Sequence, residues 1–265
     1  MIPLTFSSLG CAELSLDEVA ALARRHSFRT VELRALAGTT ELPTWLSARF
    51  ESPAAWASHL QTLELSVIAF GTSFRLLNGK EADRAALLAF VPWAEAAGVP
   101  WLRIFDGGQT GDAAELAHAA EVFAWWRDER RRNGWKVDLM VETHDALVTT
   151  PRLQAFFNVI PDAALLWDTH HTWKKGGEDP VATWRAVGAR TVHIHVKDSV
   201  SRASDRHPFT YVLPGEGEFP MVPLLAELKS SGYQGAVSLE WERLWHPYLP
   251  TLETALAAAA KHHWW

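Results

Sequence analysis

The chain has almost no sulfur chemistry and no strong excess of charge of either sign. Its one cysteine, Cys11, among 265 residues excludes an intramolecular disulfide and a metal cage built from thiolates. A lone thiol fits a reducing compartment, and a cytoplasmic location is expected. The formal charge of −6, from 31 acidic and 25 basic residues, provides no general attraction to nucleic acid or to an anionic membrane surface. No apolar run reaches the roughly 18 residues that a membrane span needs. Residues 1–9 read as a strand rather than as a signal peptide. No Gly/Ser/Pro-rich linker or break in composition divides the chain, so a single domain over 1–265 is expected.

What is present is a globular composition, 48% hydrophobic and 21% charged, with length enough for a large core. The fourteen tryptophans are expected mainly in helix–sheet packing. Short β-branched or apolar runs alternate with helical stretches along the whole chain. The strands are read in "PLTFSSLG", "TVELRAL", "LSVIAFG", "PWLRIFDGG", "KVDLMVETH", "AALLWDTHH", "RTVHIHVKDSV" and "GAVSLEWE". Ser15 is placed to cap the helix in "SLDEVAALARRH", which has acids in its first turn and bases in its last. Helices are predicted near 52–64, over 80–97 with a stop at Gly98, and over 112–132. The basic run "RDERRRNG" at the end of the last of these complements the helix dipole better than it suggests a phosphate or nucleic-acid site. Eight strand–helix units at about 33 residues each point to a (β/α)8 barrel. The same alternation is compatible with a doubly wound open sheet, and the count of eight favours the barrel.

In such a barrel the chemistry sits at the C-terminal ends of the strands. "RTVHIHVKDSV", residues 190–200, is apolar on both faces apart from His193 and His195, then runs into Lys197 and Asp198. The last residues of strands five to eight are Glu142, Asp168, His195 and Glu240. Three carboxylates meeting at one point repel unless a cation neutralises them. A divalent ion bound by three carboxylates and an imidazole resolves this, and the set suits Mn, Mg, Co or Zn without selecting among them. Any one polar residue at a strand end is as well explained as a solvated strand–loop junction; four on successive strands are not. His193 reads as a hydrogen-bonded core histidine one layer below His195. His170 reads as a turn residue, and His171, three after Asp168, as a group reaching back over the site. His144 is either a group behind the ligands or an exposed loop residue. Arg34 either binds a substrate oxygen or pairs with Glu32, and Asp106 is expected to cap a turn.

"VETH", "DTHH", "HIHVKD", "PGEGEF" and "SLEWE" occur in the order seen in the xylose isomerase-like superfamily, which the chain resembles over nearly its whole length. That superfamily includes sugar isomerases, ketose 3-epimerases, hydroxypyruvate isomerase, inosose-processing enzymes and endonuclease IV. The resemblance implies that Glu142, Asp168, His195 and Glu240 bind one divalent metal, and that His171 and Lys197 contact substrate oxygens. Arg34 and His144 complete the expected substrate contacts. The chain departs from endonuclease IV, which uses three zincs and further histidines after its third and fourth strands. Here those strands end in "AFGTSF" and "IFDGG", and the Asp205–His207 spacing in "DRHPF" falls earlier than the nuclease motif. It departs from the ketose 3-epimerases at Ser201, where they place an arginine; Arg202 is one residue later.

The function this implies is metal-dependent isomerisation or epimerisation of a small sugar or hydroxy-carbonyl compound. Glu142 and Glu240 act as the acid–base pair across a metal-bound cis-enediolate. Expulsion of a neighbouring hydroxyl would make the same parts a dehydratase. A nuclease and a non-catalytic sugar-binding barrel are the remaining alternatives. Phe74, Trp173, Trp241 and Trp245 are candidates to close the pocket, or ordinary packing. Arg34, Arg75, Lys174, Lys175, Arg202, Arg206 and Arg243 are scattered over several loops, with no Gly-rich cradle after strands seven or eight, so an unphosphorylated substrate is expected. "EWERLWHPYLP" and "HHWW" either form a homodimer interface or pack on their own barrel.

Overall fold

A computed structural model describes residues 2–264. Eight parallel strands form the barrel: β1 (Leu4–Phe6), β2 (Thr30–Leu33), β3 (Ser66–Arg75), β4 (Trp101–Phe105), β5 (Asp138–Glu142), β6 (Ala164–Asp168), β7 (Thr191–Val196) and, after a small hairpin, β10 (Ala236–Leu239). The hairpin pairs β8 (Asp198–Val200) with β9 (Thr210–Val212) in antiparallel fashion. The hydrogen-bonded order is β1-β10-β7-β6-β5-β4-β3-β2. The seam between β1 and β2 is closed by a bridge from Ser7 to Glu32 and by Thr5 Oγ1, which donates to the Thr30 carbonyl at 2.8 Å. The expected (β/α)8 barrel in a single domain is what the chain forms.

Local chemistry sets the helices around it. Ser15 and Glu18 form a reciprocal capping box at the start of Leu16–Arg25, satisfying two backbone donors at once. Asp112 caps Ala113–Asn133, and Gly134 ends that helix in the left-handed conformation. The continuous helix expected over 80–97 is instead a 3-10 turn at Glu81–Asp83 followed by Arg84–Leu88 and Val91–Ala97. Pro92 lacks the N–H that would carry the ladder across that junction. The helix Leu42–Arg49 and the β8–β9 hairpin were not anticipated. Both are short, and neither has enough length for its periodicity to stand out from a loop.

The main apolar core lies between the strands and the helices, and Trp56, Trp126 and Trp167 are fully buried in it. A separate small cluster of Ala69, Met140 and Leu166 lies below the site. Each precedes a site-facing residue by two (Gly71, Glu142 and Asp168), so strand alternation puts them on the barrel's inner face as an apolar plug. Trp264 is buried against Phe219, which favours packing on its own barrel for the C-terminal aromatics, whereas Trp265 lies outside the described residues. Among the described residues, no helix is long and apolar enough to cross a membrane.

Candidate metal centre and cavity

Above the plug, the strand ends place Glu142, Asp168, His195 and Glu240 together, with one potential ligand atom from each lying within 4.8 Å of every other. All four are buried. Glu142 closes β5, Asp168 closes β6, His195 lies near the end of β7, and Glu240 follows β10. Because β6 pairs with β7 so that Asp168 faces His195, and β10 pairs with β7 so that Ser238 faces His195, the register brings the groups to one level. His195 Nδ1 lies 3.5 Å from Glu142 Oε1 and 3.4 Å from Glu240 Oε1.

Charge compensation of these carboxylates comes from two buried cations. Arg103 Nε is 3.1 Å from Glu142 Oε2. Lys197 Nζ lies 2.8 Å from Asp168 Oδ2 and 2.7 Å from Glu242 Oε1, and also pairs with Glu240. Burial alone would raise Glu142 and Glu240, but Arg103 beside the first, and Lys197 with His195 beside the second, hold both below the usual carboxylate range. For Asp168 burial wins, helped by the neighbouring Glu240 and Glu142, and the carboxyl is pushed up to about 6 in spite of Lys197. Glu142 Oε2, Asp168 Oδ2 and His195 Nδ1 make no aligned hydrogen bond. The two oxygens face the Arg103 and Lys197 cations instead, and three such donor atoms converging on one point fit a divalent ion with oxygen and nitrogen ligands.

A residue that sequence reasoning mentioned only as a partner for Arg34 holds the imidazole. Glu32 Oε2 accepts from His195 Nε2 at 2.7 Å and from His193 Nε2 at 3.1 Å. With Nε2 donating to a carboxylate, the neutral imidazole offers Nδ1 as the ligand atom, as histidine ligands backed by carboxylates do. The burial of His195 disfavours its charged form, yet Glu32 and Glu240 raise its pKa well above the usual value in the absence of an ion. His193 is the hydrogen-bonded core histidine expected of it.

A cavity of about 330 Å³ opens over the cluster, lined by Glu142, Glu240, His144, His171, Arg34 and Arg103 among others. His171 Nδ1 donates to the Thr143 carbonyl at 2.9 Å. Burial and then Lys197 push His171 well below its ordinary pKa, so it is a neutral imidazole. His144 lies between the Phe105 and His171 rings, with Nδ1 2.8 Å from Asp145 Oδ1. Lys197 is not among the lining residues: its ammonium is spent on three carboxylates beneath the cavity. Arg34 lines the cavity, and rather than pairing with Glu32 it donates from Nη2 to Ser73 Oγ at 3.1 Å. Of the four aromatics read either as closing the pocket or as ordinary packing, Trp245 lines the cavity, whereas Phe74, Trp173 and Trp241 pack elsewhere and Phe105 lines it with Trp245.

A model of the xylose isomerase-like TIM barrel family matches residues 20–263. The chain belongs to that family. No curated protein matches it in sequence. Among solved structures, this xylose isomerase-like barrel is similar to the probable 3-DHS dehydratase AsbF of Bacillus anthracis (TM-score 0.77, 17% identity, 98% of each chain covered). It is also similar to the IolI protein with a bound zinc atom (TM-score 0.74, 18% identity, 99% of this chain and 96% of that one). D-psicose 3-epimerase in the presence of D-fructose gives a TM-score of 0.71 at 16% identity over 99% and 97% of the two chains.

Other charged motifs in this xylose isomerase-like chain are structural. Asp198 accepts backbone N–H bonds from Ser199, Gly215, Gly217 and Phe219, tying "PGEGEF" to the end of β7. A Cβ at Gly217 would stand 2.1 Å from Asp198 Oδ1, so that loop needs glycine there. Asp106 accepts from the backbone of Gly107, Asp145 and Leu147, and so fixes the loop that carries His144. His170 is a buried residue whose Nε2 meets Ser199 Oγ at 2.8 Å. Asp205 and His207 belong to none of the metal-competent clusters among the described residues. Arg103 and Glu242 were missed in the sequence because nothing in "LRIF" or "LEWE" distinguishes an inward charge from an outward one until strand register is known.

Proposed function

We propose that the protein is a divalent-metal-dependent isomerase or epimerase acting on a small, unphosphorylated sugar or hydroxy-carbonyl compound. The observation that carries this reading is the convergence of three buried carboxylates and an imidazole, Glu142, Asp168, His195 and Glu240, at the floor of a cavity large enough for a small sugar. A bound divalent cation would supply a Lewis acid for a carbonyl oxygen and its neighbouring hydroxyl.

The rest of the work falls to the chain's own groups. Glu142 and Glu240, kept ionised by Arg103 and Lys197, reach the site from opposite sides of His195, Glu142 from β5 beyond β6 and Glu240 from the end of β10. One removes a carbon-bound proton and the other delivers a proton to the opposite face. For a 1,2-shift either carboxylate suffices for both transfers. His171, with its Nδ1 proton committed to Thr143, presents Nε2 as an acceptor for a substrate hydroxyl. Phe105 and Trp245 cover the cavity wall and limit water access. The zinc named for IolI and the fructose named for D-psicose 3-epimerase support both the metal and the substrate class.

The likeness to a probable dehydratase favours one second reading, in which the same proton removal expels an adjacent hydroxyl. One experiment separates the two. The protein is loaded with Mn, its metal content is measured, and it is incubated in heavy water with a panel of ketoses and hydroxy-ketones. Carbon-bound deuterium in an isomer or epimer supports the proposal, and an unsaturated product supports the dehydratase. Glu142→Gln and Glu240→Gln should each lower the rate by about 10²–10⁴-fold while circular dichroism stays unchanged. Near-normal rates in either variant would rule out the two-carboxylate mechanism.

A further inference from the structure

Arg34 is a buried guanidinium without a counter-ion. It is 6% exposed and lines the cavity. The other two arginines of the lining have carboxylate partners: Arg75 pairs with Asp145 at 3.0 Å, and Arg103 with Glu142. Among the described residues Arg34 has no ion pair, and its Nη1 has no hydrogen-bond partner at all. A buried cation in that condition is expensive unless a ligand completes it. The carboxylates of the site are otherwise engaged: Glu32 by two histidines, Asp168, Glu240 and Glu242 by Lys197. A divalent ion on Glu142, Asp168 and Glu240 would remove even their long-range compensation of Arg34.

The guanidinium is also deliberately held. The Ser8 hydroxyl accepts from the backbone N–H of Arg34 at 2.9 Å, and Ser73 Oγ fixes Nη2. Gly71 makes the room: a Cβ there would stand 2.7 Å from Arg34 Cδ and 2.9 Å from Arg103 Nη2. Two like charges are thus brought side by side in a buried wall, an arrangement that a neutral hydroxyl cannot offset and an anion can. Burial and Arg103 lower the Arg34 pKa to about 10, which leaves it charged at neutral pH.

We infer that Arg34 receives a carboxylate on the substrate, so that the site takes a hydroxy-carbonyl acid rather than a neutral sugar. This rests on the proposed function for the identity of the site but not for the charge of its ligand. A monoanionic carboxylate is favoured over a dianionic phosphate because Arg75 and Arg103 are already paired with carboxylates, and no glycine-rich backbone cradle accompanies Arg34.

Three hydroxy-ketones of three carbons that differ only at one end make the test: hydroxypyruvate, dihydroxyacetone and dihydroxyacetone phosphate. Their affinities are measured by calorimetry on the wild-type chain with and without Mn. Hydroxypyruvate should bind at least about tenfold more tightly than dihydroxyacetone, and Arg34→Met should abolish that preference. Arg34→Lys should keep part of it, and Ser73→Ala, which leaves the guanidinium in place but unanchored, should weaken it a few-fold. Equal affinities for hydroxypyruvate and dihydroxyacetone, or a preference that survives Arg34→Met, overturns the inference. So does a larger preference for the phosphate. Failure to bind Mn would undo the proposed function while the metal-free affinities still decide the role of Arg34.

Discussion

Glu32 Oε2 lies 2.7 Å from His195 Nε2, joining the second strand of the barrel to the seventh across its interior. Both side chains are fully buried, so the contact is a preorganised support and not a surface ion pair. It sets which nitrogen of His195 is offered to the site. Glu32→Gln keeps the shape and removes the negative charge, and should weaken Mn or Zn affinity by about 10–100-fold. Competition against a metallochromic chelator reads this directly. Unchanged affinity would show that Glu32 serves only the packing of His193 and His195.

Lys197 carries the positive charge that holds three carboxylates together in the metal-free chain. Lys197→Met should therefore destabilise that form by about 3–5 kcal/mol, because it leaves buried carboxylates unpaired. Urea denaturation in the presence of a chelator measures the loss. Adding Mn should restore a substantial part of the stability, and more in the variant than in the wild type, because the ion takes over the neutralisation. A variant as stable as the wild type in chelator would contradict this account.

Asp106 makes folding stability depend on pH with a definite sign. Burial pushes its carboxyl up to about 6 from 3.8, against the backbone N–H donors of Leu147 and Asp145 that favour the charged form. The folded state then holds the proton more tightly than the unfolded state. The resulting stabilisation is present in full below about pH 4 and is lost as pH rises through about 6. In urea titrations from pH 4 to 7, wild-type stability minus that of Asp106→Asn should fall by about 2 kcal/mol. A difference that is flat or rises over that range would mean the backbone donors outweigh burial.

Asp198 organises a loop and does no chemistry. Asp198→Ala removes the acceptor for four backbone N–H groups, at a cost of about 1–3 kcal/mol for each one left buried and unpaired. Hydrogen exchange should quicken at Gly215, Gly217 and Phe219, while amides of β4 and β5 keep their protection. Uniform loss of protection across the barrel would show that this loop is part of the global folding unit.

The alternation of strand and helix patterns, and the charged or imidazole residue at the end of each of the last four strands, are properties of the sequence alone. They were sufficient to specify a (β/α)8 barrel and to nominate Glu142, Asp168, His195 and Glu240. The reason is physical: a parallel barrel puts every strand's C-terminal end on one face, so residues far apart in the chain converge without further information. Three things needed the tertiary structure. The helix Leu42–Arg49 and the β8–β9 hairpin are too short for periodicity to register. Glu32 and Arg103 look like any strand carboxylate or arginine until pairing register shows that they point inward. The uses of Lys197 and Arg34 were decided by distance: three carboxylates lie within reach of the first, and none has been left for the second.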